Sequence, residues 1–242
     1  MISIILPTYN ERDNLEILVK KILKVLNREN IKGSIIIIDD NSPDGTGKIA
    51  QKLSIAYSNK IIYISRKSKQ GLGSAYIVGF KKALSLGSKY IFEMDADLSH
   101  SPDDIPKFLK TIKKYDLVLG SRYINNGKIK NWNLNRKLIS KGGTIYAKTI
   151  LNLPINDLTS GFKCFRRKVL EKIDLNNIQS DGYAFQIELT YKVAQYGFKI
   201  KEIPITFHER KRGISKFSKK IFIEAAIMVW KMKFNNILNR KL

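Results

Sequence analysis

The sequence predicts an α/β fold with a mostly parallel central sheet flanked by helices. Three observations predict it: apolar strand-like runs alternate with helix-periodic segments through the first 121 residues, the connections are short, and polar clusters follow the strand-like runs. Ile2–Leu6 is a short β-branched run. Glu11–Arg28 then carries Leu15, Leu18, Val19, Ile22, Leu23 and Leu26 at helical spacing. Ile35–Ile38 is four isoleucines in a row, the pattern of a strand buried on both faces. Ser42-Pro43-Asp44-Gly45 forms a turn and caps a helix to about Ala56. Ile61–Ile64 is a third strand, Gly71–Leu86 a third helix and Tyr90–Met94 a fourth strand. Ser101-Pro102-Asp103-Asp104 opens the next helix, with proline in its first turn and acids at the positive dipole end. Leu117–Leu119 closes the series.

Beyond Ser121 the rhythm changes. Asn125–Asn135 reads as a loop, Arg136–Leu151 as a helix, Thr159–Phe165 as a strand or turn, Asp181–Tyr196 as a helix and Ile200–Phe207 as a strand. Phe217–Phe234 reads as an apolar C-terminal helix with basic flanks. No internal repeat, low-complexity tract or Pro/Gly linker divides the chain.

Composition narrows the chemistry. The 242 residues hold 43% hydrophobic side chains, enough for a real core. The single cysteine, Cys164, excludes a disulfide scaffold and a multi-thiolate metal site and fits a reducing compartment. Two histidines, His100 and His208, cannot build a histidine-rich site. Chemistry here must run on carboxylates, Arg, Lys and backbone groups. The formal charge is +23, of which residues 1–121 carry +6 and residues 122–242 carry +17. Such asymmetry points the second half toward something anionic: nucleic acid, a phospholipid surface or a phosphorylated substrate. Met1–Leu6 lacks the basic region of a signal peptide, and no apolar stretch reaches the roughly 18 residues a spanning helix needs.

Four polar clusters fall where strands end: Pro7–Glu11, Asp39–Gly45, Asp95–His100 and Gly120–Tyr123. Each alone is ordinary capping chemistry. In a doubly wound sheet the carboxyl ends of strands converge on one crevice, so together they outline a site. Asp95 and Asp97 form a D-x-D whose hard oxygens suit Mg²⁺ or Mn²⁺, and Ser99 adds a hydroxyl. Asp40 is placed to hold a base or ribose, and Tyr9 offers a face for stacking. No G-x-x-x-x-G-K-[ST] is present, and Gly71-Leu72-Gly73 does not follow the first strand, so P-loop and dinucleotide-binding enzymes are both disfavoured. Glu188 and Asp181 read as capping or solvated carboxylates, Cys164 as a core residue, His100 as packing or capping, and Trp132 as loop packing or an interfacial anchor.

These clusters, with Arg136–Gly142, Thr159–Phe162 and Arg210–Lys216, occur in the order found in the polyprenol-phosphate mannosyltransferases, the family of dolichol-phosphate mannose synthases. The chain resembles that family over residues 1–220. The resemblance implies an inverting glycosyltransferase of GT-A (Rossmann-like) fold. It implies a catalytic domain at 1–216, with a nucleotide-sugar half at 1–121 and an acceptor half at 122–216, followed by an interfacial amphipathic helix and basic tail at 217–242. It implies that Pro7, Tyr9, Glu11, Ile38 and Asp40 hold the guanosine of GDP-mannose. Asp95, Ala96 and Asp97 would meet the metal, Mg²⁺ or Mn²⁺, and the diphosphate, with Ser99 where some relatives have a glutamine ligand. Arg122 matches a donor-contacting arginine, Arg136 one that seats the acceptor phosphate, and Arg210 and Lys216 groups on the donor diphosphate. The reactive set is then Asp97, Arg122 and Arg136.

The implied acceptor is dolichyl or another polyprenyl phosphate. Its phosphate has a second pKa near ~6, so it is largely ionised at neutral pH and needs no base. A lipid acceptor implies a membrane surface, at its cytoplasmic face. Lys137–Leu153 and Phe217–Phe234, apolar with basic flanks, are the segments suited to lie on it. Many relatives carry C-terminal spanning helices; without one, the expectation is a peripheral protein or a separate small membrane-anchoring subunit. Two rivals stand beside this reading: a UDP-glucose or other nucleotide-sugar donor, and a nonenzymatic nucleic-acid-binding protein. The second is disfavoured, because carboxylates clustered at strand ends would repel a phosphate backbone.

Overall fold

The structure, a computed structural model, describes residues 1–178, 180–209 and 226–234. Its main sheet has seven strands in the order β3-β2-β1-β4-β7-β5-β8. These are β1 (Ile2–Thr8), β2 (Gly33–Asp39), β3 (Ile61–Ser65), β4 (Tyr90–Glu93), β5 (Leu117–Ser121), β7 (Lys163–Arg166) and β8 (Ile200–Pro204). Helices α1 (Arg12–Arg28), α2 (Thr46–Ala56), α3 (Leu72–Ser85) and α4 (Ile105–Thr111) link the strands of the first half.

The isoleucine run of β2 is buried on both faces, as a strand inside a covered sheet must be. Ile35 and Ile37 enter the core under α1, where Leu15, Leu18, Val19, Ile22, Leu23 and Leu26 all lie buried. Ile36 and Ile38 enter the opposite core with Tyr76 and Phe80 of α3. The alternation follows from the period of two along a strand. Four of the six strand pairings in this sheet are parallel.

β7 is the exception, antiparallel to both β4 and β5. Four residues of a strand carry no mark of direction. The chain enters β7 from the carboxyl end of the sheet, so it runs downward and leaves Ser160 and Gly161 at that end. A second difference is a small two-stranded sheet. β6 (Lys128–Lys130), inside the segment expected to be a loop, pairs with β9 (Thr206–His208). The strand expected over Ile200–Phe207 therefore breaks after Pro204, which has no N–H with which to continue a ladder.

α5 (Leu134–Leu151) starts before the expected Arg136, because Asn133 caps it by accepting the Arg136 N–H at 2.9 Å. Tyr123 Oη meets Ser140 Oγ at 2.7 Å and ties this helix to the end of β5. α6 (Arg167–Lys172) continues directly from β7, and α7 (Gly182–Gln195) follows it.

Of the expected Phe217–Phe234 helix, residues 226–234 are described and are helical; 217–225 lie outside the described residues. Val229 and Met232 bury against Ala147 and Leu151 of α5 and Ile187 and Tyr191 of α7. Ile227, Trp230 and Phe234 remain exposed, as do Leu134, Leu138, Ile139 and Ile145 of α5. No helix among the described residues is long and apolar enough to cross a membrane.

Candidate active site

A cavity of about 400 Å³ opens at the carboxyl ends of β1, β2 and β4. Its walls come from Pro7 and Thr8 at the end of β1 with Tyr9 and Glu11 beyond it, Asp40 after β2, Lys69 in the loop before α3, Asp95 to Asp97 after β4, Thr159 and Gly161 before β7, and the starts of α3 and α7. Apart from Thr159 and Gly161, which lead into the antiparallel β7, these positions are strand exits or helix entries, the places where loops of such a sheet gather around a crevice.

Asp40 is held hard. One carboxylate oxygen takes the Nε and Nη2 of Arg66, and the other accepts the backbone N–H groups of Gln70 (3.0 Å) and Gly71 (3.2 Å). Its acceptor directions are thereby filled, and its evident work is to shape the 66–71 loop. Arg66 reaches on to Ser74 Oγ and the Gly71 carbonyl. Tyr9 lines the cavity, with Lys69 Nζ 4.4 Å from its ring centroid. Glu11 accepts from Asn14 Nδ2 at 2.8 Å and fastens the start of α1. Ile38 lies beneath the surface, its carbonyl accepting from Thr8 Oγ1.

The D-x-D sits on a constrained turn. Leu98 has φ +64°, left-handed geometry that costs a non-glycine residue ~1–2 kcal/mol. That turn folds the Ser99 N–H back onto Asp97 Oδ1 at 3.0 Å. Asp95 is approached by Tyr76 Oη at 3.3 Å, and its own N–H donates to His100 Nδ1. His100 is buried, stacked on Phe162 with burial pushing its pKa down, so it packs rather than reaching the cavity. Gly161 lies so close that a Cβ there would stand 2.9 Å from Asp95 Oδ2. Ser99 Oγ is buried with no hydrogen-bond partner among the described residues.

Among the described residues no group of three or more His, Cys, Asp or Glu side chains gathers to hold a metal by itself. Two carboxylates facing a cavity fit a hard cation that completes its shell with phosphate oxygens and water.

Arg122 and Arg136 stand behind the cavity wall. Arg122 is buried, its backbone N–H, Nε and Nη2 all given to Asp157 at 2.6–2.8 Å, with a further bond to Thr159 Oγ1. Burial disfavours that cation, but Asp157 more than offsets this and pushes its pKa up. Arg136 pairs with Glu209 at 2.7 Å and lies 4.3 Å from the centre of the Trp132 ring, which also faces Arg122. Thr159, Arg122, Trp132 and Arg136 thus form one contact chain from the cavity to α5. Arg210 and Lys216 lie outside the described residues.

Several cavity residues escaped the sequence reading. Asp181 does not cap α7 with its side chain; Oδ1 accepts the Gly73 N–H at 2.7 Å and joins the starts of α3 and α7 at the cavity. Lys69, Tyr183 and Gln186 line it too. Glu188 lies buried in α7 and accepts the Ser180 N–H at 3.1 Å. Below Asp95, Glu93 and Lys163 are buried completely. Burial pushes Glu93 up to about 7 and Lys163 down to about 8, against their mutual attraction.

Comparison with known proteins identifies the family and the fold. The family model described as Glycosyl transferase family 2 matches residues 3–174. The chain is 40% identical over 238 residues to the polyprenol monophosphomannose synthase of Mycolicibacterium smegmatis, covering 98% of this chain and 88% of that one. It is 40% identical over 225 residues to the undecaprenyl-phosphate mannosyltransferase of Micrococcus luteus, covering 93% and 90%. Among solved structures, a Pyrobaculum calidifontis mannosyltransferase in complex with GDP-Man and Mn²⁺ aligns with TM-score 0.64 at 16% identity, over 98% of this chain and 64% of that one. Glucosyl-3-phosphoglycerate synthase from Mycobacterium tuberculosis, in complex with Mn²⁺ and UDP-glucose, aligns with TM-score 0.69 at 15% identity, over 96% and 78%. At these identities the two structures share the fold.

Proposed function

This chain belongs to glycosyl transferase family 2 and is a glycosyltransferase, and we propose that it transfers mannose from GDP-mannose to a polyprenyl phosphate, dolichyl phosphate included. The product is the β-linked polyprenyl mannosyl phosphate of an inverting displacement. The observation that carries the reading is the cavity in which Asp95 and Asp97 meet the ends of β1 and β2 and the first turns of α3 and α7. The polyprenyl-phosphate mannosyltransferases at 40% identity along almost the whole chain support the substrate class.

Asp95 and Asp97 hold Mg²⁺ or Mn²⁺ together with the donor diphosphate. The cation's contribution is to neutralise the charge that builds on departing GDP. Tyr9, Pro7 and Glu11 bound the nucleoside end, with Asp40 shaping the loop beside it through Arg66. Arg136 seats the lipid phosphate once Glu209 gives way, since Arg fits phosphate bidentately. Arg122 acts through Asp157 and Thr159, holding the wall. Arg210 and Lys216 complete the donor phosphate contacts in this reading. The acceptor arrives ionised, so the chain's task is to hold two anions together, and Arg and Lys suit that task better than His.

The lipid acceptor requires a bilayer. Leu134, Leu138, Ile139 and Ile145 of α5, with Lys137, Lys141 and Lys148, and the exposed Ile227, Trp230 and Phe234 give an apolar and basic surface for the cytoplasmic face of a membrane, peripherally bound. A small membrane-anchoring subunit fits the same role. The likeness to a UDP-glucose enzyme keeps UDP-glucose as a second donor to test.

A donor panel with polyprenyl phosphate and Mn²⁺ is expected to yield lipid product with GDP-mannose far above UDP-glucose; the reverse order would replace the donor assignment. Arg136→Ala is expected to cut transfer by a factor on the order of 10² while GDP affinity stays within about twofold. Equal loss of both in calorimetry and turnover would remove Arg136 from the acceptor side.

A further inference from the structure

One pleat below Asp95 lies a charged pair that the transfer reaction does not use. β4 and β7 run antiparallel with Glu93 opposite Lys163. Carrying that register two residues outward sets Asp95 opposite Gly161, the glycine already seen pressed against its carboxylate. Glu93 and Asp95 are two residues apart on an extended chain and share one face. Lys163 therefore stands beneath the D-x-D, with Nζ 3.9 Å from Glu93 Oε2. The same Nζ donates to the backbone carbonyl of Gln186 at 2.9 Å and to its side-chain oxygen. Gln186 is itself part of the cavity wall.

Stability alone is a poor reason for this arrangement. A buried ion pair seldom outperforms two apolar side chains of the same volume. Neither Glu93 oxygen accepts a hydrogen bond of ordinary length among the described residues. What a buried pair does supply is a field that water and salt hardly screen. Lys163 lies within electrostatic reach of both Asp95 and Asp157.

We propose that Lys163 and Glu93 set the affinity of the Asp95–Asp97 site for its divalent cation. Lys163 lowers that affinity and Glu93 restores it, so that the cation is held firmly only together with a nucleotide diphosphate. Both are positioning residues: they act on the cation through Asp95 and touch no substrate. This inference rests on reading Asp95 and Asp97 as the cation's ligands.

The test is Mn²⁺ binding to the purified full chain, followed by electron paramagnetic resonance with and without GDP. Glu93→Gln is expected to weaken Mn²⁺ binding roughly tenfold, and Lys163→Met to strengthen it by a similar factor while shrinking the enhancement by GDP. The Glu93→Gln/Lys163→Met double variant should return to within about threefold of the wild type. A merely structural pair gives a different pattern: both single variants weaken binding, and the double is no better. That pattern, or changes under about twofold throughout, overturns the inference. Should Lys163→Met fail to fold, Glu93→Gln against the double variant decides it, restored affinity supporting the inference and unrestored affinity overturning it. Asp95→Asn serves as the control. If Mn²⁺ binding ignores that substitution, the ligand reading itself fails; if binding responds but the two single variants move together, only the present inference fails.

Discussion

Asp95→Asn is expected to lower mannosyl transfer by a factor on the order of 10³ and to leave the fold intact. Cation stabilisation of a leaving diphosphate contributes several kcal/mol to the transition state, and each ~1.4 kcal/mol is tenfold in rate. Asn keeps the shape that Gly161 and Tyr76 pack against and still accepts the Tyr76 hydroxyl, so the change is one of charge. The loss should appear in kcat with Mn²⁺ saturating, and a raised Mn²⁺ requirement should accompany it. Unchanged circular dichroism with lost turnover is the expected pair of readings. A variant within tenfold of wild-type turnover would mean that the carboxylate does not hold the cation.

Asp157→Ala should produce the largest loss of stability of any single change in the site region. It strips one hydrogen bond from the Arg122 backbone N–H and two from its guanidinium, which is almost wholly buried among Tyr123, Trp132 and Phe207. Removing one partner of a buried pair costs ~3–5 kcal/mol, because the other charge is left in a poor solvent. For a chain of this length that corresponds to a fall in Tm of roughly 10 °C. Removing both charges with Arg122→Met/Asp157→Leu should recover most of the stability without recovering activity, because Thr159 then loses its Arg122 contact at the cavity wall. Thermal unfolding of the two variants checks this. A single-variant drop under about 3 °C would show that Arg122 finds water or another partner.

The first half of the fold was legible because its signals are local. The period of α1, the isoleucine run of β2 and the acids after β4 each declare an element within a few residues. The D-x-D and the β1 exit were readable for the same reason, and they do meet in one cavity. What stayed hidden depends on long-range placement. β7 is four residues long, and only the path of the chain around it makes it antiparallel and sets Gly161 against Asp95. Lys163 did leave a trace, a lysine inside the apolar run Phe162-Lys163-Cys164-Phe165, which is an odd residue for a buried strand. Asp157 and Asp181 left none: each looks like an ordinary loop or cap residue until Arg122 or Gly73 arrives from elsewhere in the chain. The separation of Arg122 from the cavity likewise follows from its pairing with Asp157, which no spacing of residues announces.

The basic second half also reads differently with the fold in view. Part of its charge is committed internally, Arg122 to Asp157, Lys163 to Glu93 and Arg136 to Glu209. Lys137, Lys141 and Lys148 lie on the helix that exposes Leu134, Leu138 and Ile145, where charge and apolar area together suit a lipid surface.

Incorporation of labelled mannose from GDP-mannose into a solvent-extractable polyprenyl phosphate, by purified wild-type protein beside Asp95→Asn, tests the central claim most directly. A divalent-cation-dependent lipid product from the wild type that all but disappears in the variant is the expected result. No lipid product from GDP-mannose with any polyprenyl phosphate, or equal product from the two proteins, would contradict it.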